Sequence, residues 1–155
     1  MLSLSLQNAE DYIKIALAQA CRAYKKGEVP IGAVIVSGGK IVARAFNLRE
    51  TKCNALYHAE ILAIKRACRK LKRWRLTDCE MYVTLEPCPM CAGAINQARI
   101  GKLFFGAYDP KGGACGSVID VLEADKFNHN VEVVGGIMER ECGEILKRFF
   151  RERRK

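Results

Sequence analysis

The alternation of apolar and polar positions divides the chain into short elements. Ala9, Tyr12, Ile13, Ala16, Leu17, Ala20 and Tyr24 recur at helical spacing. Asn8 in front of them is a good N-cap, with Asp11 three residues on, and Gly27 offers a stop, so a helix is predicted from Asn8 to Gly27. Ile31–Val36 and Ile41–Phe46 are β-rich runs around Ser37-Gly38-Gly39-Lys40, which predicts a hairpin. Their nearly unbroken apolarity predicts at least one strand buried on both faces. After a polar stretch from Asn47 to Asn54, a second helix is predicted from about His58 to Leu71, with Ile61, Ile64, Cys68 and Leu71 on one side.

The remainder alternates strand and helix. Met81–Leu85 reads as a strand closed by Pro87, Met90–Arg99 as a short helix and Lys102–Gly106 as another buried strand. Asp109–Ser117 is a glycine-rich loop, followed by a predicted short helix through Leu122. Val131–Val134 is a last strand, and Met138–Arg153 a final helix with Cys142, Ile145, Leu146 and Phe149 inward. No internal repeat or linker interrupts this order. It predicts one domain over residues 1–155 with a three-layer α/β/α fold, a mixed central sheet of about five strands and a basic C-terminal helix over about 138–155.

Composition narrows the class. With 155 residues, 50% hydrophobic and 28% charged, the chain is expected to be globular and to bury a real core. No apolar run approaches the roughly 20 residues that span a bilayer. The first residues lack a basic region, and Glu10 and Asp11 follow at once, so no signal peptide is expected and the chain is read as cytoplasmic, with reduced cysteines. The net charge of +9 is concentrated. Lys65, Arg66, Arg69, Lys70, Lys72, Arg73 and Arg75 stand between Ile61 and Thr77 without an acid, and six bases against Glu152 close the chain from Lys147 to Lys155. Such clusters suit a polyanionic partner, or else a solvated helix face and a helix C-terminus complementing its macrodipole.

Candidate chemistry centres on His58, Cys88 and Cys91. Imidazole and thiolates are ligands of the right softness for zinc. Cys88 follows a strand end, Cys91 falls in the first turn of the next helix, and His58 begins the preceding one, so two helix N-termini would converge and favour thiolate. Three ligands leave a position for water, as catalytic zinc sites do. Cys53, Cys79, Cys115 and His129 could each close the site as a fourth ligand. Glu60, two residues from His58, could move a proton to and from zinc-activated water. Against this stands its placement in a first helical turn, where acids are favoured anyway, and residues two apart do not share a face of a regular helix. Two other classes compete: a Cys-x-x-Cys redox pair and an RNA-binding module with a structural zinc.

His58-Ala59-Glu60 with Pro87-Cys88-Pro89-Met90-Cys91 resembles the cytidine and deoxycytidylate deaminase superfamily. Nearly the whole chain is similar to its tRNA-specific adenosine deaminase branch, through Glu28-Val29-Pro30-Ile31-Gly32-Ala33-Val34, Asn47, Tyr82–Glu86, Ala92-Gly93-Ala94-Ile95, Phe105-Gly106-Ala107, Lys111-Gly112-Gly113-Ala114 and Phe149-Phe150-Arg151. The resemblance implies one zinc per subunit on His58, Cys88 and Cys91, with Glu60 shuttling protons while water replaces the amino group at C6 of adenine to give inosine. It implies that Asn47, Val29, Ala59 and Leu85 meet the target base, the first anticodon nucleotide, and that Asp109, Lys111, Phe149 and Arg153 meet the surrounding tRNA anticodon loop. A homodimer is implied as well. Asn54-Ala55-Leu56-Tyr57 and Tyr108 depart from the branch, which often has Asp-Pro-Thr-Ala and, in some members, Arg there. A free guanine or cytosine deaminase would share the metal motif.

Overall fold

The computed structural model describes residues 2–154. In chain order the elements are α1 (Leu2–Lys25), β1 (Gly32–Ser37), β2 (Lys40–Phe46), α2 (Ala59–Leu71), β3 (Cys79–Leu85), α3 (Pro89–Gln97), β4 (Lys102–Ala107), β5 (Glu132–Val134) and α4 (Glu139–Arg153). The sheet order is β2-β1-β3-β4-β5. β1 pairs antiparallel with both β2 and β3, and β4 pairs parallel with β3 and β5, so the sheet is mixed as predicted.

The period of two along the central strands assigns residues to two cores. Ala33 and Ile35 of β1, Met81 and Val83 of β3, and Leu103 and Phe105 of β4 point to the side covered by α2 and α3. Val34 and Val36, Tyr82 and Phe104 point to the side covered by α1 and α4. Burial on both faces explains why these strands read as continuous apolar runs. Each fully buried Ile, Leu or Phe contributes about 1.5–3 kcal/mol. Gly32 lets α1 approach β1: a Cβ there would overlap the Ala16 carbonyl oxygen and lie 2.7 Å from the Ala20 nitrogen.

Four expectations are corrected. The first helix starts at Leu2, not at Asn8. No glycine or proline interrupts residues 2–7, and a mid-helix Asn costs well under about 1 kcal/mol against Ala, so the cap signal does not end the helix. On α2 the buried face is Ala59, Leu62, Ala63 and Ala67, while Ile61, Ile64, Cys68 and Leu71 are half-buried. Small alanines bring the helix close to the sheet, and the larger side chains flank that contact. The short helix expected before Leu122 is a set of turns with an isolated Cys115–Asp120 bridge. The Val118 and Val121 N–H groups go to the Gly113 and Ala114 carbonyls at 3.0 and 2.8 Å, five and seven residues back, not four as in an α-helix. Finally, α4 begins at Glu139, with Met138 as a left-handed N-cap at φ 53°.

Candidate metal and substrate site

His58 and Cys88 are the N-caps of α2 and α3, both in extended conformation and neither making a side-chain capping bond. Pro89 at the start of α3 fixes a helical φ where no N–H is needed. The side chains are therefore free to meet across the gap between the two helix ends. His58 Nδ1 lies 3.7 Å from Cys88 Sγ and 3.5 Å from Cys91 Sγ, and the three ligand atoms all lie within 4.8 Å of one another. A tetrahedral zinc with N at about 2.05 Å and S at about 2.3 Å requires N···S edges of roughly 3.5–3.6 Å, so the donor set fits that ion. Among the described residues none of Cys53, Cys79, Cys115 and His129 joins this group. His129 Nε2 is 2.7 Å from the Ile100 carbonyl oxygen, and the Cys53 thiol faces the Glu50 carbonyl at 3.7 Å.

The site polarises its own groups. Hydrogen bonding from Cys91, reinforced by His58, brings the Cys88 thiol down to about 4 against the pull of burial. The Cys91 thiol is pushed upward by its bond to Cys88, by burial and by the Glu60 carboxylate. His58 is raised by its bond to Cys88. A metal taking all three as neutral imidazole and thiolates displaces protons from the site.

Glu60 is 4% exposed, and its Oε1 has no hydrogen-bond partner. Burial pushes its carboxyl up to about 7, against the smaller opposing effects of its own backbone N–H and of His58. The objection that residues two apart diverge on a helix does not apply, because His58 precedes the helix with ψ 155°. An unpartnered carboxyl oxygen buried beside three metal ligands is the arrangement expected for a group that exchanges protons there.

Val29 and Leu85 line a cavity of about 570 Å³ together with Tyr108, Asp109, Lys111 and Phe150, and Lys147 and Arg154 supply further positive charge. Asn47 is buried; its amide donates to the Val29 carbonyl at 3.3 Å and its Oδ1 accepts from the Arg49 N–H at 3.2 Å. Ala59 is fully buried at the start of α2. Phe149 and Arg153 are not in the cavity lining. The Phe149 ring is buried, edge-on to Tyr24 at 5.6 Å. Arg153 lies over that ring at 4.6 Å and donates to the Gly27 carbonyl. Phe150, 45% exposed, takes the outward position. Helical spacing from Cys142 and Ile145 already turns Phe149 inward, so this distinction was available in the sequence.

The α2 basic cluster is partly engaged by the protein itself. Lys65 sits over the Tyr57 ring at 5.2 Å, Arg66 donates to the Arg44 carbonyl at 2.5 Å, and Arg73 pairs with Asp78 at 2.6 Å. Two residues missed by the sequence reading stand out. Glu28 and Glu86 are 1% and 2% exposed, and each accepts hydrogen bonds from a loop beside the cavity. Burial pushes both carboxyls up, but these bonds outweigh it and hold both below the usual carboxylate range.

Residues 7–154 match the MafB19-like deaminase family. The tRNA-specific adenosine deaminase of Bacillus subtilis (strain 168) is 55% identical over 146 residues, covering 94% of this chain and 91% of that protein. A structure from biochemical and structural studies of A-to-I editing by tRNA:A34 deaminases at the wobble position aligns with a TM-score of 0.84 and 43% identity, over 88% of this chain and 99% of that one. The guanine deaminase of Bacillus subtilis aligns with a TM-score of 0.61 and 42% identity, over 64% of each chain. With its histidine and two cysteines gathered at two helix ends and a buried glutamate beside them, the chain belongs to the tRNA-specific adenosine deaminase family of the deaminase superfamily.

Proposed function

We propose that the chain converts adenosine to inosine at the first anticodon position of tRNA by hydrolysis, using one zinc ion held by His58, Cys88 and Cys91. The observation that carries this reading is the three-ligand set with the unpartnered Glu60 Oε1 buried beside it. Zinc bound there supplies Lewis acidity that brings the pKa of water towards neutrality. Glu60 accepts a proton at Oε1, gives one to the adenine ring nitrogen and assists departure of ammonia, so that water and adenosine become inosine and ammonia. Val29 and Leu85 supply apolar walls, Ala59 backs the site without bulk, and Asn47 offers its amide to the base.

The cavity rim favours an RNA over a free base. Lys111, Lys147 and Arg154 suit phosphates, and Tyr108 and Phe150 present rings on which neighbouring bases can stack. An unpaired anticodon loop yields a base to the site at low cost. A tRNA substrate implies action in the cytoplasm. No helix among the described residues is long and apolar enough to cross a membrane. Half-buried Ile61 and Ile64 together with exposed Leu56 offer apolar surface to a second copy, consistent with a homodimer, and sedimentation of the purified protein tests that.

Incubation with total tRNA, and separately with free guanine and cytosine, distinguishes the readings. Inosine in tRNA supports the proposal. Ammonia from a free base without inosine would establish the runner-up, a free nucleobase deaminase. No product from the zinc-loaded protein would favour a metal-stabilised RNA-binding module.

A further inference from the structure

Two loops, one contributing Asp109 and Lys111 to the cavity lining and one tied through Asn47 to the lining residue Val29, are each fastened by a buried carboxylate that the proton-transfer chemistry does not use. Glu28 stands immediately before Val29, on the cavity wall. Its Oε1 accepts from the Glu50 N–H at 3.1 Å, and its Oε2 accepts from the Thr51 N–H at 2.6 Å and the Thr51 hydroxyl at 2.5 Å. The same loop begins at Asn47, whose amide is tied to the Val29 carbonyl. Glu86 stands immediately after Leu85, another residue of the cavity lining. Its Oε1 accepts from the Asp109 N–H at 3.0 Å and the Ser117 hydroxyl at 2.5 Å, and its Oε2 from the Cys115 and Ser117 N–H groups at 3.0 and 3.1 Å.

The sequence at the second clasp is adapted to the carboxylate. A Cβ at Gly113 would fall within the Glu86 carboxyl group, so the backbone passes where only glycine fits. Asp109, held by Glu86 through its N–H, uses its own Oδ1 to accept from Lys111 and Gly112 at 3.1 and 3.2 Å. The carboxylate thus sets the backbone of Asp109, and Asp109 sets that of Lys111. Fixed donors on buried, fully engaged acceptors are how a loop is held in one conformation before its ligand arrives, which removes ordering cost from binding.

We infer that Glu28 and Glu86 are positioning residues that pre-form the two sides of the RNA-binding cleft, Glu28 by holding the Asn47–Thr51 loop and Glu86 by holding the Asp109–Ser117 loop. The inference rests on the deaminase reading for its kinetic arm and not for its structural one. Glu28→Gln and Glu86→Gln preserve shape but turn an amide donor towards loop N–H groups. In hydrogen–deuterium exchange without RNA, Glu86→Gln accelerates exchange in residues 109–117 and Glu28→Gln in residues 48–54, each leaving the other loop and the zinc content unchanged. With an anticodon stem-loop as substrate, KM rises about tenfold or more while kcat stays within about twofold. Lys111→Ala raises KM in the parent protein but adds little in the Glu86→Gln background.

Unaltered exchange in both loops overturns the inference whatever the enzyme acts on. So does a fall in kcat at constant KM, the mark of a smaller folded fraction, or an undiminished Lys111→Ala effect in the Glu86→Gln background. If the glutamine variants do not fold, Ser117→Ala and Thr51→Val each remove one hydroxyl bond to the same carboxylates. They are expected to reproduce the local exchange change with a KM rise of a few-fold, and unchanged exchange and KM in both overturns the inference. Absence of inosine from the parent protein defeats the proposed function, while the exchange arm still decides the clasps.

Discussion

Glu60→Gln separates two effects of one buried group, because it should abolish activity and stabilise the metal-free fold. The side chain is 4% exposed and its Oε1 is unpartnered, so the isosteric amide leaves packing intact while removing a titratable proton. General acid–base groups contribute ~10²–10⁴ in rate, so turnover on an anticodon stem-loop should fall by about that factor, roughly 3–5 kcal/mol of transition-state stabilisation. The carboxyl is raised from an ordinary 4.5 to about 7 in the folded, metal-free chain, primarily by burial. Below pH 4.5 it is protonated in both states and has no effect on stability. As pH rises from 4.5 through about 7 the unfolded chain ionises first, and the parent protein loses stability until it levels off above that range, by of order 3 kcal/mol. Urea denaturation of chelator-treated protein at pH 5 and pH 8 measures this, with inosine formation and zinc content measured in parallel on loaded protein. The variant should gain on the parent by less than about 1 kcal/mol at pH 5 and by of order 3 kcal/mol at pH 8. Equal gains at both pH values would refute the burial argument. Turnover within tenfold of the parent would refute the proton role.

The two adjacent phenylalanines should behave oppositely. Phe149→Ala removes a buried ring and should cost about 3–5 kcal/mol in urea denaturation, whereas Phe150→Ala should leave stability nearly unchanged and raise KM for the stem-loop by roughly 5- to 150-fold, as lost base stacking does. Cys91→Ala should abolish zinc retention after dialysis, read as metal per chain. In the parent protein zinc should bind more tightly at pH 8 than at pH 6, because raised His58 and Cys91 must give up protons to bind it. Gly32→Ala should force α1 away from β1 and cost about 1–3 kcal/mol; a thermal midpoint equal to the parent's would contradict the close approach.

Much of this molecule is written locally, and the reason lies in which interactions are short-range. The hairpin around Gly38-Gly39, the two-sided apolar strands and the helix ending before Arg154 depend on neighbours within a few residues, and each appears where the pattern puts it. The metal ligands were legible too, because His58, Cys88 and Cys91 sit at turn positions whose identity matters more than their packing. Elsewhere the pattern misled. The start of α1 ignores a good capping residue, and the face of α2 against the sheet is chosen by what fits, so alanines displaced the larger side chains expected inside. The segment before Leu122 folds back on the preceding loop, its Val118 and Val121 N–H groups bonding the Gly113 and Ala114 carbonyls.

Residue identity and spacing supply an imidazole, two thiolates and a carboxyl suited to a metal and a proton. The packed fold brings them to one site. It placed His58 outside the regular helix so that Glu60 can share its site, and it buried Glu60 deeply enough to raise its pKa. It made Glu28 and Glu86 supports for loops far from them in sequence. Burial and long-range hydrogen bonds depend on the whole packed chain, and no short window of residues contains them.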